Sequence, residues 1–356
     1  PKDVSVHGDK RIDDYFWLRE KESRDVLDYL KAENAYTAAI TAPSEGLRET
    51  LYREMVSRIK ETDQTVPARK GRYLYSIRTQ EGKQYPIYCR RLADTRDQPE
   101  QVILDVNELA TGEAFMDVGH FEVSDDGRLL AYTVDRTGSR DYAVRIKNLE
   151  TGTELPQQIG NVASIQWAAD NDTLFYVSEE EDTKRAHRLH RWQLSTGQHK
   201  ALLEEKDELY DFEVSRSLDG QYIFCTAESK TTTGILALSA SQPRGKFRVI
   251  VRKREGQECS IEHRDGLFYI LTNLEAKNFR LVAAPVATPT SPYWTEIIAH
   301  DPAIKREGIE VFSRHLIIHE RENGLPHIRV LRFADGLHPG IHARHEGAAR
   351  ALRLAF

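Results

Sequence analysis

Ser217-Leu-Asp-Gly220-Gln-Tyr-Ile-Phe-Cys225 sets a tight turn before an apolar run, and the chain writes a turn and apolar run of this kind six times. The other copies are Gly71-Arg-Tyr-Leu-Tyr-Ser76, Gly127-Arg-Leu-Leu-Ala-Tyr132, Asp172-Thr-Leu-Phe-Tyr-Val177, Gly266-Leu-Phe-Tyr-Ile-Leu271 and Arg314-His-Leu-Ile-Ile-His319. Counted from Gly71, Gly127, Asp172, Gly220, Gly266 and Arg314, successive copies start 56, 45, 48, 46 and 48 residues apart. A period of this length, with several short strands per unit, is that of a four-stranded propeller blade. One twisted sheet cannot bury both its faces alone, so such units stack around an axis. Ser124-Asp-Asp-Gly127, Ser217-Leu-Asp-Gly220 and His263-Arg-Asp-Gly266 place Asp-Gly where a hairpin needs positive φ. A second turn is read at Ala110-Thr-Gly112, Glu150-Thr-Gly152 and Ser195-Thr-Gly197, after strand-like runs such as Ala143 to Leu149 and Leu189 to Leu194. The competing architecture is a β-sandwich, which rarely repeats both turns in register. The fold class is therefore mainly β, a β-propeller of six blade repeats.

The 356-residue chain is long for one ordinary core, but a repeat array grows without that limit. Its net charge of −6 argues against a nucleic-acid partner. The basic stretch Arg248 to Arg254 alternates with valine and isoleucine and reads as a strand with a solvated face. No run of 18 apolar residues and no signal peptide is present, so no membrane partner is expected. Cys89, Cys225 and Cys259 form an odd set without a CxxC pair. Free thiols in a reducing compartment, the cytoplasm, are the expectation.

The first 68 residues follow another rule. Ser23 is read as the cap of a helix carrying Val26, Leu27, Leu30 and Asn34 on one side. Ser44 is read as the cap of a second helix, with Leu47, Leu51, Met55 and Ile59 at four-residue spacing. Pro67 and Gly71 mark the passage into strands. The expected organisation is a helical segment over 1–68, a propeller over 69–336 and an atypical tail over 337–356.

The opening His7-Gly-Asp-Lys-Arg11-Ile-Asp13-Asp14-Tyr15-Phe16-Trp17-Leu18-Arg19-Glu20, followed by Val26-Leu-Asp-Tyr-Leu-Lys-Ala-Glu-Asn34-Ala-Tyr36, resembles the N-terminal segment of the prolyl oligopeptidase family. The oligopeptidase B branch is the most similar. Glu54-Met-Val-Ser-Arg58-Ile-Lys60-Glu-Thr-Asp63, Ile103-Leu-Asp105-Val-Asn107-Glu108-Leu109, Ile165-Gln-Trp167-Ala-Ala-Asp170-Asn171-Asp-Thr-Leu174-Phe-Tyr176 and Val330-Leu-Arg-Phe-Ala-Asp335-Gly336 extend the resemblance over residues 7 to 336. It implies a two-domain serine endopeptidase, in which an α/β-hydrolase domain cuts short peptides after arginine or lysine. A seven-bladed propeller covers that site and excludes folded proteins, and the N-terminal helices wrap the hydrolase domain.

The hydrolase domain is not among these 356 residues. Its nucleophile needs a strained strand-to-helix elbow, GxSxG, and no such string occurs between Pro1 and Phe356. Ser139, in Gly138-Ser-Arg140, is read as a hairpin-turn serine without an elbow. No catalytic, cofactor-binding or metal-binding residue is assigned, and no cofactor is expected. His187, His190 and His199 form the densest central histidine group, but residues 187 and 190 of one strand point to opposite faces. Gly82-Lys83-Gln84 and Gly245-Lys246-Phe247 lack the Ser/Thr of a phosphate loop. Asn171-Asp-Thr173 matches a glycosylation acceptor but is read as a blade turn. Glu179-Glu180-Glu181-Asp182 is read as a solvated loop, with attraction of basic peptides as the alternative.

After Leu337 the blade grammar gives way to an Ala/Arg/His-rich stretch, read as a truncated or frameshifted end, with a helix from about Glu346 to Leu354 as the alternative. Six blades shaped for a seven-fold ring leave a blade-wide gap that exposes the inner faces of blades 1 and 6. Poor solubility, or self-association through those faces, is the expected consequence. Two functions stand at this point. One is the substrate-gating portion of an oligopeptidase-B-like peptidase, inactive alone and meeting short peptides through the missing domain. The other is a stand-alone propeller that binds a peptide or protein.

Overall fold

The computed structural model describes residues 1–94 and 99–333, and the tail read at 337–356 lies outside them. The chain divides into two compact units, Pro1–Asp63 and Gln64–Phe356. In the first, Lys2–Asp3 pairs antiparallel with Ile12–Asp13, and two helices follow, α1 (Arg24–Thr41) and α2 (Glu45–Val56). Ser23 occupies the N-cap of α1, where its carbonyl accepts Leu27 N–H at 3.0 Å, but its side chain caps nothing. The expected Ser44 cap is not formed. Ser44 sits in a tight helical turn between the helices, with helical backbone angles, and its hydroxyl donates to Thr41 C=O at 2.7 Å. Ile59 falls beyond the end of α2, because the chain leaves the helix after Val56. Leu27, Leu30, Leu47, Leu51 and Met55 are all exposed within this unit, which leaves both helices with uncovered apolar residues.

The second unit contains six antiparallel meanders in chain order. Blade 1 comprises Ala68–Lys70, Tyr73–Arg78, Ile87–Leu92 and Gln101–Asp105, and blade 2 comprises Asp117–Val123, Leu129–Asp135 and Ala143–Asn148. Blade 3 is Val162–Trp167, Thr173–Glu179, Ala186–Gln193 and Gln198–Glu204, and blade 4 is Asp211–Arg216, Tyr222–Glu228, Thr233–Ser239 and Arg248–Val251. Blade 5 is Cys259–Arg264, Leu267–Thr272, Arg280–Pro285 and Thr295–Ile298, and blade 6 is Ile304–Val311, His315–Glu322 and Leu325–Arg332. Every copy of the repeated phrase forms or leads into a second strand. Of the second turns, Gly152 and Gly197 follow third strands, whereas Thr111-Gly112 follows the fourth strand and a short helix, Val106–Leu109, on the way to blade 2. The basic stretch is a strand only over Arg248–Val251. There the outward residues are adjacent rather than alternating, since Ile250 and Val251 are both buried.

Alternation within the second strands explains the packing. Leu174 and Tyr176 join a core with blade 2, while Phe175 and Val177 join one with blade 4. Phe224 packs toward blade 5, and Ile223 and Cys225 toward blade 3. Phe268 and Ile270 meet blade 4, whereas Tyr269 and Leu271 meet blade 6. A strand buried on both faces reads as a continuous apolar run, which is why the repeated phrase is so dense. Tyr75, Ile103 and Met116 complete a layer with Leu130 and Tyr132, so five cores join six blades. At the ends of the array the free faces of the second strands turn more polar, with Ser76 and Arg78 in blade 1 and His315, His319 and Arg321 in blade 6.

Gly127 and Gly266 both hold left-handed backbone, φ +74° each, but in different surroundings. A Cβ on Gly127 would lie 2.9 Å from the Tyr73 ring, whereas one on Gly266 would meet nothing. Gly266→Ala is expected to cost about 1–2 kcal/mol from backbone strain alone. Gly127→Ala should cost more, because the Tyr73 ring must also move. Urea unfolding midpoints check the order.

Candidate functional site

First strands neighbour one another between blades 2 and 3, 3 and 4, and 5 and 6. Here polar side chains replace the apolar layers. Lys70 Nζ and Gln166 Nε2 each approach Glu122 Oε2 at 3.5 Å, and the Glu122 carbonyl accepts the Trp167 indole N–H at 2.9 Å. Arg216 reaches from blade 4 past blade 3 to Asp125 of blade 2, in a two-pronged pair at 2.8 Å per contact. Glu262 accepts the Leu218 N–H at 2.9 Å. Burial, with Asp219 and Glu310 adding like charge, pushes its carboxyl up to about 7. His263 is almost fully buried and holds Asp219 Oδ2 at 2.7 Å through Nδ1, while its Nε2 has no hydrogen-bond partner.

A cleft of about 260 Å³ opens between blades 2 and 3, at the end where the first strands begin. Gly119 and His120 come from a bulged first strand, Arg140 and Tyr142 from the loop after the second strand, and Glu179 and Lys184 from the next blade. Tyr142 O–H donates to the Asp117 carboxylate, and the Lys184 ammonium pairs with Asp141. His120 Nε2 lies 2.6 Å from the Ala163 carbonyl. One Glu179 oxygen is shut from water without a donor, and burial raises the carboxyl's pKa. The solvated-loop reading of Glu179 is thus corrected: strand alternation breaks at a bulge between Ser178 and Glu179, which re-aims the side chain. Glu180 does lie in a turn, paired with Arg185 at 2.8 Å.

Of the remaining sequence candidates, His190 and His199 both contact Tyr176, and the others lie apart. His190 stacks on Tyr176 with ring centroids 4.6 Å apart, and His199 stacks on Trp192 at 5.2 Å, while His187 contacts the Arg185 carbonyl instead. Burial pulls His190 down to about 4. Ser139 lies in the loop between the second and third strands of blade 2, its N–H donating to Thr137 Oγ1 at 3.0 Å. Asn171 occupies a turn at positive φ and accepts the Asp126 N–H at 3.0 Å, which ties blade 3 to blade 2. Cys89 and Cys225 are buried, Cys259 partly so, and burial pushes the Cys89 thiol up to about 12.

Residues 2–349 match the family described as prolyl oligopeptidase, N-terminal beta-propeller domain. The chain belongs to that family. It is 36% identical over 354 residues to dipeptidyl aminopeptidase BI of Pseudoxanthomonas mexicana, covering 93% of this chain and 48% of that protein. It is 33% identical to protease 2 of Moraxella lacunata, over 93% of this chain and 49% of that protein. The structure of oligopeptidase B from Leishmania major superposes with a TM-score of 0.85 at 27% identity, over 92% of this chain and 47% of that one. The chain therefore spans about half the length of the relatives it matches, and corresponds to the propeller portion of peptidases of the prolyl oligopeptidase family. Among the described residues, no helix is long and apolar enough to cross a membrane.

The Glu262 carboxyl gives the propeller a measurable pH signature. Its folded pKa lies above the ordinary 4.5, so the folded state holds the proton more tightly than the unfolded chain. That contribution is complete below pH about 4.5 and is lost as pH rises to about 7. Wild type minus Glu262→Gln stability should fall by on the order of 2 kcal/mol over that window. His190 works in the opposite direction and cancels in the difference, which urea titrations at several pH values read out.

Proposed function

We propose that this chain is the substrate-gating part of a serine endopeptidase that cuts short peptides after arginine or lysine, and that it has no hydrolytic activity without its hydrolase half. The observation that carries the reading is the family match over nearly the whole chain, joined to relatives of twice its length that are named as peptidases and include oligopeptidase B. The division into a helical segment over 1–68 and a propeller over 69–336 belongs to the same reading. The helical segment's apolar residues, Leu27, Leu30, Leu47, Leu51 and Met55, suit a hydrolase surface as their partner. Three unpaired thiols support residence in the cytoplasm. Association of the isolated chain through the free faces of blades 1 and 6 completes the proposal.

The assay uses arginyl and lysyl fluorogenic peptides. The purified 356-residue chain should give no turnover and no labelling by a fluorophosphonate. Fused to the hydrolase half of the Moraxella lacunata protease, it should support cleavage of the short peptides and spare folded proteins. Turnover by the isolated chain, or cleavage after other residues by the fusion, would overturn the reading.

A further inference from the structure

We propose that the cleft between blades 2 and 3 binds a primary ammonium group of a peptide, with the Glu179 carboxylate as its acceptor. The inference rests on the peptide reading above and adds a site to it. The polar groups around the cleft leave a specific deficit. His120 Nε2 is at the Ala163 carbonyl, Tyr142 O–H is on Asp117, Lys184 is on Asp141, and Thr133 Oγ1 accepts the His120 N–H at 2.8 Å. Glu179 alone among these keeps a desolvated oxygen without a donor. What the cleft lacks is therefore an N–H group with positive charge, since a buried carboxylate is costly until it is paired.

The surrounding field has the matching sign. Asp117, Asp135, Asp141 and Asp211 act on Tyr142 or Glu179, against the cations Arg140 and Lys184, and Lys184 is already engaged. Arg140 is exposed at the rim. A compact ammonium with three donors suits one under-satisfied carboxylate, whereas a guanidinium seeks two acceptors in its plane. Gly119 is part of the construction. A Cβ there would stand 2.8 Å from the Tyr142 ring, so only glycine lets that ring close the cleft wall and keep its hydroxyl on Asp117.

Calorimetric titration of the full chain tests this with four pentapeptides. One has a free N-terminus and no lysine, one is N-acetylated with a central lysine, one is N-acetylated without lysine, and one carries an N-terminal trimethylammonium. At least one of the first two should bind tenfold or more tightly than the last two, and which one does so identifies the source of the ammonium. Glu179→Gln should abolish that preference with an unchanged melting temperature. If the variant does not fold, the trimethylammonium peptide still decides on wild type, because it keeps the charge and loses the N–H donors. Equal binding of all four, or a preference that survives Glu179→Gln, overturns the site while leaving the peptidase reading to its own turnover assay. Binding of none overturns the site as well.

Discussion

Each interior blade in this chain has two apolar faces, and neither finds a partner within its own blade. That constraint organises everything downstream of Gln64. The second strand of an interior blade sends alternate residues in opposite directions, so Leu174 and Phe175 are neighbours in sequence yet members of different cores. Burying a side chain of this size contributes roughly 1.5–3 kcal/mol. Losing one blade would therefore strip a face from each neighbour, and stability in such an array is shared between adjacent units rather than held in one centre. The tryptophans show the coupling directly: Trp167 is fully buried in the layer between blades 2 and 3, and its indole N–H holds the backbone of blade 2 at Glu122.

Around the axis the same geometry leaves no room for apolar layers, and charge takes over. Glu122 stands between Lys70 of blade 1 and Gln166 of blade 3, linking three blades through one carboxylate. Arg216 is largely buried and spans blade 3 to reach Asp125 with two parallel contacts. A two-pronged guanidinium–carboxylate pair fixes direction as well as distance. At the far end of the array, Glu320 lies between Arg306 and Arg329, at 3.4 Å and 2.9 Å, with Arg306 and Glu320 both buried. Removing that carboxylate would leave two cations short of a partner, the situation in which a buried pair matters most.

The repeat was legible because it rests on local chemistry. Asp265-Gly266 adopts positive φ at both residues, +49° and +74°, as a two-residue hairpin turn demands. The blade count and the second strands followed from that spacing. Thr111-Gly112 looked the same on paper, yet the short helix after Asp105 moves it outside the blade, a shift that tertiary packing of Val106 imposes and periodicity does not encode. Ser44 departs from its expected cap for a related reason: the turn linking α1 to α2 keeps helical backbone angles, so there is no extended residue for a cap to use. The polar sites were the least legible. Glu179 ends a strand whose alternation predicts one direction, and a bulge supplies another. Glu262 sits in an ordinary-looking Ser-Ile-Glu-His run, and only its burial between blades, with Asp219 and Glu310 adding like charge, makes its carboxyl unusual.

The pair formed by His263 and Asp219 shows how little a catalytic motif means without its third member. An aspartate on Nδ1 at 2.7 Å is the orienting half of a serine-peptidase triad. The other ring nitrogen must face a hydroxyl that can attack, and His263 Nε2 faces no hydrogen-bonding group. Tyr222 and Phe268 pack on the imidazole instead, with centroids at 4.5 and 5.6 Å, so the ring is walled in by aromatics. What the contact accomplishes is mechanical, tying the first strand of blade 5 to the turn of blade 4. The gating proposed above needs that kind of rigidity: an obstacle that excludes folded proteins works only if its blades keep their spacing while a short chain passes.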